Sequence, residues 1–219
     1  MAVAMGMAVL VAGVVAVGLA SGGLQRPPIG VVGAPRPPAT TPSAIAVAPP
    51  PPLFDGDLRT LLLPKPANAR FVAGRPSSGG VVSIEQVVEG FAAGPEMAAD
   101  LRSLGFRRGA TATWLDSKGY GVFVDLYQFD GESHALDFLL STQGGYDEAD
   151  ELQSTAYVDN IVRGRWFVDK KLPGMKQQMS GLFHRGAIWA QIVVYCPTKP
   201  DVKILLKLIQ DQYGRLPPA

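Results

Sequence analysis

TATWLDSKGYGVFVDLYQF, residues 111–129, decides the fold class. It is the centre of two runs, 106–115 and 120–129, that flank Asp116-Ser117-Lys118-Gly119. The first run alternates, with Ala110, Ala112 and Trp114 on one side and Thr111, Thr113 and Leu115 on the other. The second is rich in Val, Phe, Tyr and Leu. Two such runs joined by a short Gly-containing turn read as a β-hairpin. After Phe129 the period changes. Ala135, Leu136, Leu139 and Leu140 recur at helical spacing, and Asp130 offers an N-cap.

The same order returns downstream. Strands are expected in 157–168, 179–184 and 187–196, with Arg185-Gly186 as the last turn, and a helix over 200–213 burying Val202, Leu205, Leu206 and Ile209. Residues 122–140 and 190–208 both run strand, Tyr, break, helix, with Leu126-Tyr127 falling on Val194-Tyr195. This pattern hints at a duplicated hairpin-plus-helix unit, and chance agreement between two amphipathic units accounts for it nearly as well. The expected fold is α+β: an antiparallel sheet with helices packed on one face. Upstream, 57–63 reads as a short helix stopped by Pro64 and Pro66. Ser83 and Gln86 form a capping box, and Pro95 starts a helix that Gly105 ends. Residues 143–154 read as a polar surface loop.

Ahead of this domain the composition changes. Residues 1–24 carry no charged side chain and are long enough to cross a bilayer, which takes about 20 apolar residues. No Lys or Arg precedes the apolar run, and Gly18-Leu19-Ala20 has the form a signal peptidase accepts. Cleavage near Ala20 (a secreted protein) and retention as a single-pass anchor are both open. A lipoprotein anchor is not expected, because the only cysteine is Cys196. Residues 25–53 form a disordered Pro-rich linker ending in Pro49-Pro50-Pro51-Pro52-Leu53, a semi-rigid spacer. Residues 54–219 are then one extracytoplasmic α+β domain. Arg26 and Arg36 are two of the 20 basic residues, so this domain carries a net charge of −1 against 19 acidic ones. A near-neutral domain lacks the field of a nucleic-acid binder.

The succession of apolar segment, Pro-rich stalk, Asp57-Leu58-Arg59-Thr60-Leu61-Leu62-Leu63-Pro64, Leu104-Gly105-Phe106-Arg107-Arg108-Gly109 and Leu126-Tyr127-Gln128-Phe129 resembles small exported proteins of GC-rich Gram-positive bacteria. The closing Gln212-Tyr213-Gly214-Arg215-Leu216-Pro217 fits that picture. The element order is also distantly similar to the α+β sandwich of PsbP-like proteins, which implies a binding or accessory role by fold analogy alone.

No motif names a reaction. His134 and His184 are the only histidines, and neither sits in a metal-binding pattern, which wants three or four ligands. There is no Gly-x-Ser-x-Gly elbow, and 74–80 lacks the Gly-Lys-Ser/Thr ending of a phosphate loop. No cofactor is expected. Cys196 reads as a small buried hydrophobe, with an intermolecular disulfide as the alternative. Two groups remain. Arg163, Arg165, Trp166, Lys170 and Lys171 form a basic cluster suited to an envelope protein or an anionic envelope component, or else a solvated strand edge. Trp114, Tyr127, Trp189 and Tyr195 either pack as core or line a pocket. The leading functional expectation is a non-enzymatic accessory or interaction module acting through its sheet face or basic edge. The alternative is a small-ligand or lipid-binding domain with an aromatic pocket. An enzyme using isolated acids such as Asp125 or Asp169 comes third.

Overall fold

The computed structural model describes residues 53–72, 80–91, 95–149 and 152–218. The expected apolar segment 1–24 and the linker, save Leu53, lie outside them. Among the described residues no helix is long and apolar enough to cross a membrane.

A 3₁₀ turn at Leu58–Leu61 is followed by β1 (Gly80–Val82), α1 (Ile84–Gly90), α2 (Pro95–Ser103), β2 (Phe106–Leu115) and β3 (Gly121–Phe129). Then come α3 (Glu132–Asp147), β4 (Leu152–Tyr157), β5 (Arg165–Asp169), β6 (Gln177–Arg185), β7 (Ile188–Cys196) and α4 (Val202–Arg215). The seven strands form one sheet in the order β1-β2-β3-β7-β6-β5-β4, with every neighbouring pair antiparallel. The α+β antiparallel class expected from the hairpin signals is the observed one.

Local chemistry explains the element ends. Ser83 Oγ accepts from Gln86 N–H at 3.4 Å and Gln86 Oε1 accepts from Ser83 N–H at 3.0 Å, the reciprocal pair of a capping box. In the β2–β3 turn, Asp116 Oδ1 accepts from the N–H groups of Lys118 and Tyr120. Gly105 follows α2 at φ +67°, a left-handed conformation that favours glycine. Several boundaries differ from the sequence reading. Residues 158–164, inside the region 157–168 read as strand, form the turn between β4 and β5. Gly131, not Asp130, is the N-cap of α3, and Asp130 pairs instead with His134 at 2.5 Å. Of the stretch read as a loop at 143–154, residues 143–147 are the end of α3 and 152–154 the start of β4. In that last turn Gln143 donates to Arg163 O and Tyr146 to Ser180 Oγ, tertiary bonds that a loop reading did not anticipate. At the other end of the domain, Gly214 lies inside α4, which runs on to Arg215.

The helices do not share one face, which corrects the expected layering. Val122, Val124 and Leu126 of β3, with Ala190, Ile192 and Val194 of β7, face a layer containing Leu205 and Ile209 of α4 and Leu58 and Leu62 near the 3₁₀ turn. Tyr127, Phe129, Leu182 and Trp189 face the opposite layer, with Val87, Met97, Leu101, Ala135, Phe138 and Leu139 from α1, α2 and α3. Both hairpin-plus-helix units exist, β2–β3–α3 and β6–β7–α4, but their helices cover opposite sides. The connections differ in length. Two residues, Asp130 and Gly131, join β3 to α3, whereas five, Pro197 to Asp201, join β7 to α4. The last strand residues also point oppositely: Phe129 toward the α3 layer and Cys196 toward the α4 layer.

Buried polar side chains tie the layers. Gln212 is fully buried; its Oε1 accepts from Leu63 N–H at 2.9 Å and its Nε2 donates to Leu61 O at 2.8 Å. Gln128 Nε2 donates to Phe54 O, and Arg108 donates to both Gln128 Oε1 and Phe54 O. Each of these satisfies groups whose isolated burial costs about 1–3 kcal/mol. Gly181 lets α4 approach: a Cβ there would lie 2.7 Å from Ile209 Cγ1.

Candidate binding face

Strand alternation places one set of β3, β7 and β6 side chains on the α3 side of the sheet. The half toward the β6–β7 turn is aromatic and closed. Tyr127 and Trp189 stack with ring centroids 4.9 Å apart, and Phe138 of α3 meets Trp189 edge-on at 5.0 Å and lies tilted against Phe129 at 5.3 Å. Tyr127 and Trp189 are 4 % and 0 % exposed. Burial pushes the Tyr127 phenol well above its usual pKa, so it stays neutral. The Trp189 indole N–H has no hydrogen-bond partner among the described residues.

Toward the β2–β3 turn the same faces change character. α3 reaches its last turn, where Tyr146 stacks on Phe167 at 4.4 Å. The Tyr146 hydroxyl donates to Ser180 Oγ at 3.0 Å and accepts from Gln191 Nε2 at 3.3 Å, while Gln178 Nε2 donates to Ser180 Oγ at 3.2 Å. Desolvation, outweighing the bond to Ser180, pushes the Tyr146 phenol up to about 12. It is a neutral hydrogen-bonding group at any working pH.

Two cross-strand rows on the same side run through this network. One runs Thr111, Asp125, Gln191, Leu182; the next runs Thr113, Phe123, Val193, Ser180. Tyr195 meets Phe123 edge-on at 5.3 Å. Phe123, Asp125, Gln178, Val193 and Tyr195 are partly exposed. No Lys, Arg or His stands among the described side chains of this floor on β2, β3, β7 and β6. The arrangement offers hydroxyls, planar amides, one carboxylate and two rings. It can bind and orient, and among the described residues it pairs no nucleophile with a base.

The residues singled out from sequence are distributed over several environments. Trp114 is buried on the α4 side, Tyr127 and Trp189 fill the closed aromatic half, and Tyr195 belongs to the polar floor. Arg165 grips Asp147 through two bonds of 2.6 and 2.7 Å and lies over the Tyr157 and Phe167 rings. That bond holds the Asp147 carboxyl below its usual pKa. Trp166 alternates to the other side and packs on the α4 layer. Arg163, with φ +60°, sits in the turn before β5, and its carbonyl accepts from Gln143 Nε2 at 2.8 Å. Lys170 and Lys171 are exposed beyond the other end of β5. At about 3.3 Å per residue, the five residues of β5 put roughly 16 Å between the two ends. Cys196 is buried, and burial pushes its thiol up to about 11. It is a protonated core residue. Among the described residues no group of three metal-ligating side chains exists.

Sequence reading did not pick out Tyr146, Gln178, Ser180 or Gln191. The signal for Gln178, Ser180 and Gln191 was polar residues in otherwise apolar strands; Tyr146, in α3, had none.

No family model and no curated protein matches this chain. Among solved structures, the crystal structure of the extracellular domain of PknH from Mycobacterium tuberculosis is similar, with a TM-score of 0.50 and 10% identity, covering 75% of this chain and 98% of that chain. At that identity the likeness concerns the fold.

Proposed function

We propose that residues 54–219 are a non-catalytic binding module held outside the cytoplasm, tethered by the apolar segment 1–24 through the Pro-rich linker, and that it engages an envelope component with the polar half of its α3-side sheet face. The observation that carries this reading is the change along β3, β7 and β6 from closed aromatic core to a polar stretch in which Phe123, Asp125, Gln178 and Tyr195 are partly exposed beside the buried Ser180 and Gln191. A surface that merely faces water is normally rich in Lys and Glu, and a core is aliphatic. This floor is neither. Support for the location comes from the fold, which an extracellular domain of a mycobacterial protein shares, and from the sequence resemblance to exported proteins. The basic residues support the floor over the basic edge as the contact surface, because Arg165 is engaged by Asp147 and the remaining cations lie at opposite ends of β5.

The test is site-specific photo-crosslinking in intact cells. A benzophenone amino acid replaces Phe123 on the floor or, as control, the exposed Gln210 of α4. The expected result is a discrete adduct from position 123 alone, formed by protein that external protease can reach. Protease resistance until the membrane is opened, or adducts of equal yield at both positions, overturns the reading.

A further inference from the structure

We infer that the outer edge of β4 is a dimerisation surface, on which a second copy of this chain pairs antiparallel and continues the sheet. The sheet has two edges, β1 and β4. β1 is only three residues long, a length that blunts an edge. β4 has six residues, and among the described residues no strand pairs with its outer side. Its phase is set at the turn that follows, where Val158 N–H donates to Gly164 O at 2.8 Å. Antiparallel alternation then turns the N–H and C=O of Ala156 and Ser154 toward β5, opposite Trp166 and Val168. Those of Thr155 and Tyr157 face outward, a row of donors and acceptors that another strand can pair.

Edges that stay solitary are guarded by charge, proline, a bulge or shortness. Leu152-Gln153-Ser154-Thr155-Ala156-Tyr157 contains no charged residue and no proline. Its one guard is a register shift between Leu152 and Ser154, which leaves 154–157 regular. The surroundings are apolar. Tyr157 is 72% exposed, Val162 of the adjoining turn is 77% exposed, and Trp166, opposite Ala156, is half-buried. Arg165, over the Tyr157 ring, already holds Asp147. These features favour a copy of the same chain over a charged peptide. A two-fold interface sets one patch against itself, so a charge near the axis would meet its like. β4 brings none there. With Thr155 on the axis, outward groups meet outward groups: Thr155 pairs with its own counterpart, and Ser154 falls opposite Ala156. Paired threonines suit adjacent strands, and the small side chains beside them let the backbones approach. Two chains tethered in one membrane, as proposed above, meet at a raised effective concentration, so a contact of a few residues suffices.

The experiment is disulfide trapping of the full-length chain in native membranes, with copper phenanthroline as oxidant. Thr155→Cys places two thiols on the axis at a Cα separation of about 5.5 Å, within disulfide reach. Gln210→Cys, on the exposed side of α4, is the collision control. The native Cys196 is buried and protonated, so it stays silent. The expected result is a linked dimer from position 155 and none from position 210. Adding Ala156→Lys sets like charges across the axis and should abolish the link. That side chain is exposed, so the thermal melt should not change. Thr155→Cys gives up the bond from Thr155 Oγ1 to Trp166 O, so a second trap spares it. Ser154→Cys with Ala156→Cys, at two exposed positions that fall opposite each other, should link as well. Equal linking at 155 and 210, a link that survives Ala156→Lys, or no link from either trap in folded protein overturns the inference. A disulfide to a different protein in place of the dimer gives the edge another occupant and overturns it too. The trap does not involve the polar floor. Its failure leaves the binding reading standing, and a lost position-123 adduct leaves the dimer standing.

Discussion

The two halves of the α3-side sheet face are built from the same three strands yet obey different rules. Beneath α3, Tyr127, Trp189 and Leu182 close against Phe138 and Leu139. Two residues further along each strand, Asp125, Gln191 and Ser180 take their places, and another two bring Phe123, Val193 and Gln178. Alternation guarantees that these residues share a side; it does not decide whether anything covers them. Beneath α3 the residues are fully buried, and at Tyr146 the aromatic layer gives way to a polar one in which Ser180 and Gln191 stay buried and Phe123, Asp125, Gln178 and Val193 are partly exposed. A strand is therefore not core or surface as a unit. Here its chemistry changes from aromatic to polar where the packed helix ends.

Four measurements would break or sharpen this contrast. Phe138→Ala removes the ring that closes the aromatic half and should cost about 3–5 kcal/mol in denaturant unfolding. A loss below 1 kcal/mol would mean that the half is not closed core. Tyr146→Phe keeps the stacking on Phe167 but leaves Ser180 and Gln191 short of a partner. About 1–2 kcal/mol should be lost, with no change in the slope against denaturant. Asp147→Asn tests the clamp at the end of α3. Because Arg165 lowers the folded pKa of Asp147 below its unfolded value, this pair stabilises above about pH 4, and the contribution disappears as pH falls through the folded value. Asp147 is 49% exposed, so solvent screening leaves about 0.5–1 kcal/mol. The melting difference from wild type should be present at pH 7 and gone near pH 2; a difference that persists in acid means packing, not charge. Phe123→Ala, on the floor, should shift stability by less than about 0.5 kcal/mol. A drop as large as that of Phe138→Ala would erase the distinction between the halves.

Much of the fold was legible. The β2–β3 hairpin followed from turn chemistry at Asp116–Gly119, the start of α1 from Ser83 and Gln86, and the end of α2 from Gly105, because each depends on residues within a few positions. The end of α3 was not legible. Gln143, Tyr146 and Asp147 look like loop residues until Arg163 O, Ser180 and Arg165, all more than fifteen residues away, are brought to them. The same distance effect dissolved the two candidate groups. Arg165 and Trp166 are neighbours in sequence, but neighbours in a strand point to opposite sides of the sheet. Trp114 and Trp189 look alike as strand aromatics and lie in different layers. The polar floor was visible only as stray glutamines in apolar strands.

The sequence by itself determined an antiparallel α+β domain behind an apolar segment and a proline-rich stretch, with a near-neutral charge and no motif for nucleic acid, metal or nucleophile. These are properties of composition, period and turn chemistry, and all are local. Only the tertiary structure decided that α3 and α4 lie on opposite faces, that the basic cluster divides, and that Asp125, Ser180, Gln178 and Gln191 converge beside Phe123 and Tyr195. Those outcomes depend on strand register and on how far a helix reaches across a sheet, and both are set by contacts between residues distant in the chain.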